Sequence, residues 1–104
     1  MSDRLPVSFT RRAARQVEEA GRWWRENRSK APGALREELE RALGLIAAQP
    51  EVGAKARNVA LAGVRRVLLG RVNYHLYYRV SGTPPQSIQV IALWHAKRGS
   101  QPPV

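Results

Sequence analysis

Among the residues in the second half of the chain whose side chains are able to meet a phosphate or move a proton, nine form the candidate set. They are Arg65, Arg66, Arg71, His75, Tyr77, Arg79, His95, Lys97 and Arg98. Arginine binds phosphate oxygens through charge-assisted hydrogen bonds, and tyrosine offers a face on which a base can stack. The same set could cleave RNA without a metal. Arginine would stabilise charge on phosphorus while a histidine or tyrosine moved the proton. Two other readings stand beside these. Basic residues that alternate with apolar ones along a strand form an ordinary solvent face, and such a face also suits a partner peptide.

Other chemistries lack their residues. The chain has two histidines, His75 and His95, and no cysteine, so there is no HExxH, no CxxC and no disulfide framework. Neither standard glycine-rich phosphate loop is present. Asp3 is the only aspartate and lies in the N-terminal tail, which leaves a Ser-His-Asp triad without its acid. The glutamates outside the first helix, Glu37, Glu38, Glu40 and Glu51, are expected in a solvated stretch on or just past the second helix. No metal or cofactor is therefore expected. The opening "MSDRLPVSFTRR" has no apolar core of a signal peptide, and no run nears the roughly 18 apolar residues of a membrane span. The lack of cysteine suits a reducing compartment. The expectation is a cytoplasmic protein with no membrane contact.

Charge is unevenly spread. The whole chain of 104 residues carries +10, from 18 Lys/Arg and 8 Asp/Glu. Residues 55–104 hold eight of the basic side chains and no acidic one. That half projects an uncompensated positive field at nucleic acid, an acidic peptide or an acidic protein surface.

These residues need a scaffold, and its elements are legible. "LPVSF" (Leu5–Phe9) alternates as a short strand, and Pro6 suggests an edge position. Thr10 is a good helix N-cap. Ala13, Val17, Ala20 and Trp24 then form one helical stripe running to about Arg28, with Trp23 at its margin. A second helix follows Pro32, with Leu35, Leu39, Ala42 or Leu43, and Ile46 on its buried side. Residues 54–63 read as an irregular basic connection. Three strands follow: Val64–Leu69, Tyr74–Val80 and Ser87–Trp94, with turn signals "GRVN" and "SGTPPQ" between them. Short links make them an antiparallel meander. The third is apolar on both sides and is expected to be central. In it, Ile88, Val90, Ala92 and Trp94 are expected on one face, with Trp94 in the core. The predicted fold is α+β, in the order β-α-α-β-β-β. A helix hairpin packs on one face of a small, mainly antiparallel sheet. The other face is expected to carry Arg65, His75, Tyr77 and Arg79. One domain should span residues 1–98, with a loose tail at 99–104. His95, where the last strand ends, is expected to satisfy a backbone carbonyl.

Four stretches together resemble a known family. They are the strand and helix "VSFTRRAARQVEEAGRWW", the helix and turn "ALREELERALGLIAAQPEVG", the strand pair "VRRVLLGRVNYHLYYRV", and the last strand with its His-x-x-Arg exit, "IQVIALWHAKR". In order, spacing and charge they are similar to the ParE/RelE superfamily of type II toxin–antitoxin toxins, also called plasmid-stabilisation proteins. The similarity spans about residues 5–98. It implies a toxin that arrests growth and is silenced by a cognate antitoxin wrapping around it. RelE-like members are ribosome-dependent messenger RNA endoribonucleases, whereas ParE-like members poison DNA gyrase on the same fold. This chain has His75 where RelE-like chains tend to place arginine, and no tyrosine after Tyr78. Its "LWHAKR" exit and short tail resemble ParE. The implied target is DNA gyrase; the alternative is ribosome-bound messenger RNA, with His75, Arg65 and Arg98 as a divergent nuclease site. A relative that keeps only antitoxin binding is the third reading. For the target or antitoxin surface, the candidates are Trp23, Val59, Leu61, Arg65, Arg66, Tyr77, Arg79, His95, Lys97 and Arg98.

Overall fold

Thr10 ends one element and starts the next. Its backbone is extended, and its Oγ1 accepts the Ala13 N–H at 3.0 Å, as an N-cap should. Its own N–H donates to the Val90 carbonyl at 3.0 Å, which ties the helix start to the middle of the sheet. The computed structural model describes residues 4–28 and 31–97. Their elements are β1 (Val7–Phe9), α1 (Arg11–Asn27), α2 (Ala34–Ala48), β2 (Ala54–Lys55), β3 (Val64–Leu69), β4 (Tyr74–Ser81) and β5 (Ser87–His95).

Both helices bury the stripes that their spacing predicts. Ala13, Val17, Ala20 and Trp24 of α1 meet Leu35, Leu39, Ala42, Leu43 and Ile46 of α2 in one core. Pro32 lies in the turn before α2, which starts after Gly33. The Trp24 indole N–H donates to the Ala31 carbonyl at 2.7 Å and fastens this turn to α1.

The sheet has the order β1-β5-β4-β3-β2. β1 is an edge strand, as Pro6 suggested, and runs parallel to β5; the other pairings are antiparallel. β5 is interior. One strand is additional to the predicted order. β2 sits inside the stretch read as irregular and pairs Ala54 and Lys55 with Arg66 and Arg65. Two residues are too few to show an alternating pattern.

The largest departure from the sequence reading lies between β4 and β5. Tyr77 pairs with Ala92, but Tyr78 pairs with Val90, so Ile91 has no partner and forms a bulge. An extra residue flips everything beyond it to the opposite face. Ile88, Val90 and Leu93 therefore face the helices, while Ile91 and Ala92 pack on the far side with Trp94 against them. Trp94 does not share a face with Val90 and is not part of the main core.

A buried tyrosine holds the exit of α2. The Gly53 N–H donates to the Tyr78 hydroxyl at 2.8 Å, and the hydroxyl donates to the Pro50 carbonyl at 2.8 Å. A Cβ at Gly53 would stand 2.6 Å from that hydroxyl, so the position requires glycine for space. Burial pushes the Tyr78 pKa up, against smaller opposing contributions from the Gly53 hydrogen bond and Arg65. Glu38 is also buried, contrary to the solvated position expected for it. Its carboxylate accepts from Arg41 at 2.8 Å and from the Arg71 backbone N–H at 3.2 Å.

Tyr78→Phe should lower stability by about 1–3 kcal/mol, the range for leaving buried polar partners unsatisfied. Gly53→Ala should destabilise as well, by collision with the phenol. Urea unfolding of the two variants checks this. A Tyr78→Phe midpoint equal to wild type would mean that the hydroxyl does not hold the loop.

Candidate binding surface

Strand register sorts the basic residues between the two faces of the sheet. Arg65 pairs with Tyr78, and Tyr78 belongs to the core under the helices. Arg65 therefore lies on the helix side, where its guanidinium donates to the carbonyls of Gly53 at 2.7 Å and Glu51 at 3.3 Å. This corrects its expected place beside His75 and Tyr77. The reason is phase: alternation within a strand tells which residues share a face, but only pairing tells which face it is. Arg71 is also drawn to the helical layer, with Nη1 at 2.9 Å from Glu37.

Arg66, His75, Tyr77 and Arg79 share the open face. Arg66 stands opposite Tyr77, Val64 opposite Arg79, and Leu68 opposite His75, which in turn faces Trp94. Tyr77 is only 1% exposed, so it offers no stacking surface. Residues 56–59 cover it. Ala56 and Val59 pack on the Tyr77 cluster, and Asn58 Nδ2 donates to the Tyr77 hydroxyl at 3.0 Å. Asn58 Oδ1 is buried without a hydrogen-bond partner among the described residues. Leu61 projects from the same loop and is exposed. Arg66 and Arg79 are half-buried, and neither forms an ion pair among the described residues. His75 has its pKa lowered, first by burial and second by the charge of Arg66. Its ring meets Tyr77 edge-on at 6.1 Å.

A groove of about 570 Å³ runs along the end of β5 beside α1. Trp23, Tyr74, Trp94, His95 and Lys97 line it. Trp23 is 45% exposed, with the Arg28 guanidinium 5.2 Å from its ring centroid. The Gln16 amide oxygen accepts the Leu93 N–H at 2.9 Å, on the edge of β5 that faces away from β4, where β1 has ended. His95 Nδ1 accepts the Lys97 N–H at 3.2 Å, and its ring packs edge-on against Tyr74 at 5.1 Å. His95 thus satisfies a backbone N–H, not the carbonyl expected. Arg98 lies outside the described residues. Of the three residues of the divergent nuclease site, His75 and Arg65 occupy opposite faces. Gln16, Gly53, Asn58 and Tyr78 were not singled out from the sequence. The glycine ending "QPEVG" was the one local signal of the packed turn.

Among the described residues no group of three His, Cys, Asp or Glu could hold a metal, and no helix is long and apolar enough to cross a membrane. The sequence model of the family described as "ParE toxin of type II toxin–antitoxin system, parDE" matches residues 7–99. The chain belongs to the ParE toxin family. It is thus a type II toxin–antitoxin toxin of the ParE/RelE superfamily. Solved structures agree on the ParE/RelE fold. The chromosomal ParDE system of P. aeruginosa contains a chain 21% identical, with a TM-score of 0.70, matching 92% of this chain and 100% of that one. The toxin–antitoxin complex RelBE2 from Mycobacterium tuberculosis contains one at 25% identity and TM-score 0.63, over 90% and 94% of the two chains. The isolated E. coli RelE toxin is 24% identical, with a TM-score of 0.59, over 91% and 87%. No curated protein matches this ParE-family chain in sequence.

The His75 environment gives the ParE-family chain a pH-dependent stability. The unfolded chain takes up a proton near pH 6.5, while the folded chain resists it to lower pH. Stability should then fall as pH drops through that window. His75→Gln should flatten this part of the profile in urea midpoints measured from pH 8 to pH 5. An unchanged slope would remove His75 as its source.

Proposed function

We propose that this chain inhibits DNA gyrase by surface recognition and is neutralised by a cognate antitoxin. The family match supports a ParE-like activity. The observation that carries the choice over RNA cleavage is the position of Arg65. Its guanidinium is engaged by two backbone carbonyls on the helix side, so it does not converge with His75. Tyr77, the other proton carrier on the open face, is buried and bonded to Asn58. A nuclease needs its acid, base and charge stabiliser around one phosphate. A binding surface needs only exposed anchors and complementary charge.

The antitoxin reading rests on the groove and the charge. Trp23 is an exposed aromatic in a groove also lined by the apolar Ala20 and Leu93 and by one charge of each sign, Lys97 and Glu19. Residues 55–97 contribute no acidic side chain. An amphipathic, acidic segment would fit both features. RelBE2, one of the structural relatives, is a toxin–antitoxin complex.

Titrating the purified chain into a gyrase supercoiling reaction tests the target. Loss of supercoiling with trapped, cleaved DNA is expected. Unaffected gyrase would overturn the reading and turn attention to cleavage of ribosome-bound messenger RNA. For the partner, Trp23→Glu should weaken binding of the antitoxin encoded beside this chain at least tenfold, about 1.4 kcal/mol. Calorimetric titration reads this directly, and wild-type affinity in the variant would take Trp23 out of that interface.

A further inference from the structure

Two arginines on the open face have no counter-charge within the described fold. Arg66 pairs with Tyr77, and Arg79, two residues further along β4, pairs with Val64. They are therefore diagonal neighbours on one face, about 7–8 Å apart in such a ladder. Like charges so placed repel one another across the sheet. The four ion pairs of the described residues use Glu18, Glu37, Glu38 and Glu40, all on the two helices. No acidic side chain exists in residues 55–97 to approach the open face from its own strands or from the covering loop.

We infer that Arg66 and Arg79 contact the phosphate backbone of duplex DNA. The choice of duplex DNA over RNA rests on the gyrase reading above; the phosphate contact rests on the face itself. A phosphate on each guanidinium would replace repulsion with charge-assisted hydrogen bonds. Between them Val64, Ile91 and Ala92 are buried and apolar, Leu68 is exposed, and Gln89, paired with Arg79, adds one uncharged amide to the face. Both guanidinium groups meet phosphate, so the contact that carries the affinity is with the backbone. Tyr77 lies under the loop, so the ring best placed to stack an unpaired base is withdrawn. The lowered pKa of His75, due in its smaller part to Arg66, is consistent with a face that resists further positive charge. On this reading the toxin holds the DNA that gyrase is handling as well as the enzyme.

The test is fluorescence anisotropy of a labelled 20-base-pair duplex between 50 and 200 mM salt, with no gyrase present. Each neutralised phosphate adds about 0.9 to the slope of log affinity against log salt. Arg66→Ala/Arg79→Ala should reduce that slope by about 1.8 and weaken binding at least tenfold. Arg66→Lys/Arg79→Lys should restore the slope, since it keeps both charges; circular dichroism confirms that each variant is folded. Arg22→Ala/Arg36→Ala removes the same net charge from the helical layer and should leave most of the slope. A wild-type slope in the open-face alanine variant, or an equal loss in the helical one, would overturn the inference. A larger loss on single-stranded RNA of the same length would overturn the choice of duplex DNA. Gyrase inhibition with an unchanged slope would overturn the DNA contact and leave the gyrase reading standing. The expected slope loss with gyrase unaffected would uphold the phosphate contact and overturn the gyrase reading.

Discussion

The bulge at Ile91 is the constraint on which the arrangement of this molecule depends. β5 lies between β1 and β4 and is apolar on both sides. Unbroken alternation through it would keep Val90 and Ala92 on one face and aim Leu93 away from the helices. One extra residue changes the phase. Val90 and Leu93 then both reach the helical core, and Trp94 turns to the far face, opposite His75. The bulge thus lets one strand fill the main core at its start and shape a surface at its end. It also places His95 at the mouth of the groove beside α1.

Polar contacts then divide the charge. Tyr78, Gly53 and Pro50 form a buried knot that draws the α2 exit onto the sheet, and Arg65 closes over it by bonding the Gly53 and Glu51 carbonyls. Glu38 and Glu37 draw Arg71 toward α2. Buried polar groups need such partners, because leaving one unmade is costly. As a result, every glutamate in an ion pair of the described residues serves the helical layer, and the open face keeps its cations. The positive surface follows from where the acids are used as much as from the excess of arginine.

One fold in this superfamily serves different activities, so the surface must be judged by its own residues. Here the open face holds half-buried guanidinium groups, a covered phenol and a histidine disfavoured from taking a proton. Those properties suit holding an anion more than passing protons to and from it. The groove beside α1 is separate in character, being aromatic and apolar with one charge of each sign in its lining. A partner that fills the groove and a nucleic acid that meets the face would use different physical contacts on the same small domain.

Much was legible in the sequence because it is local. The Thr10 cap, the helical stripes from Ala13 to Trp24 and from Leu35 to Ile46, the three long strands, and the segregation of charge each depend on spacing within one segment. The four stretches that resemble the ParE/RelE superfamily are likewise read along the chain. What only the tertiary structure decided is relational. Arg65 alternates with Arg66, but which of them faces the helices depends on pairing with Tyr78 across the sheet. Ile91 looks like any apolar strand residue, and becomes a bulge only because β4 pairs around it. Asn58 and Tyr77 are 19 positions apart and Gly53 and Tyr78 are 25, so neither contact leaves a local pattern. Periodicity specifies which side chains travel together; strand register, set by long-range packing, specifies where they end up.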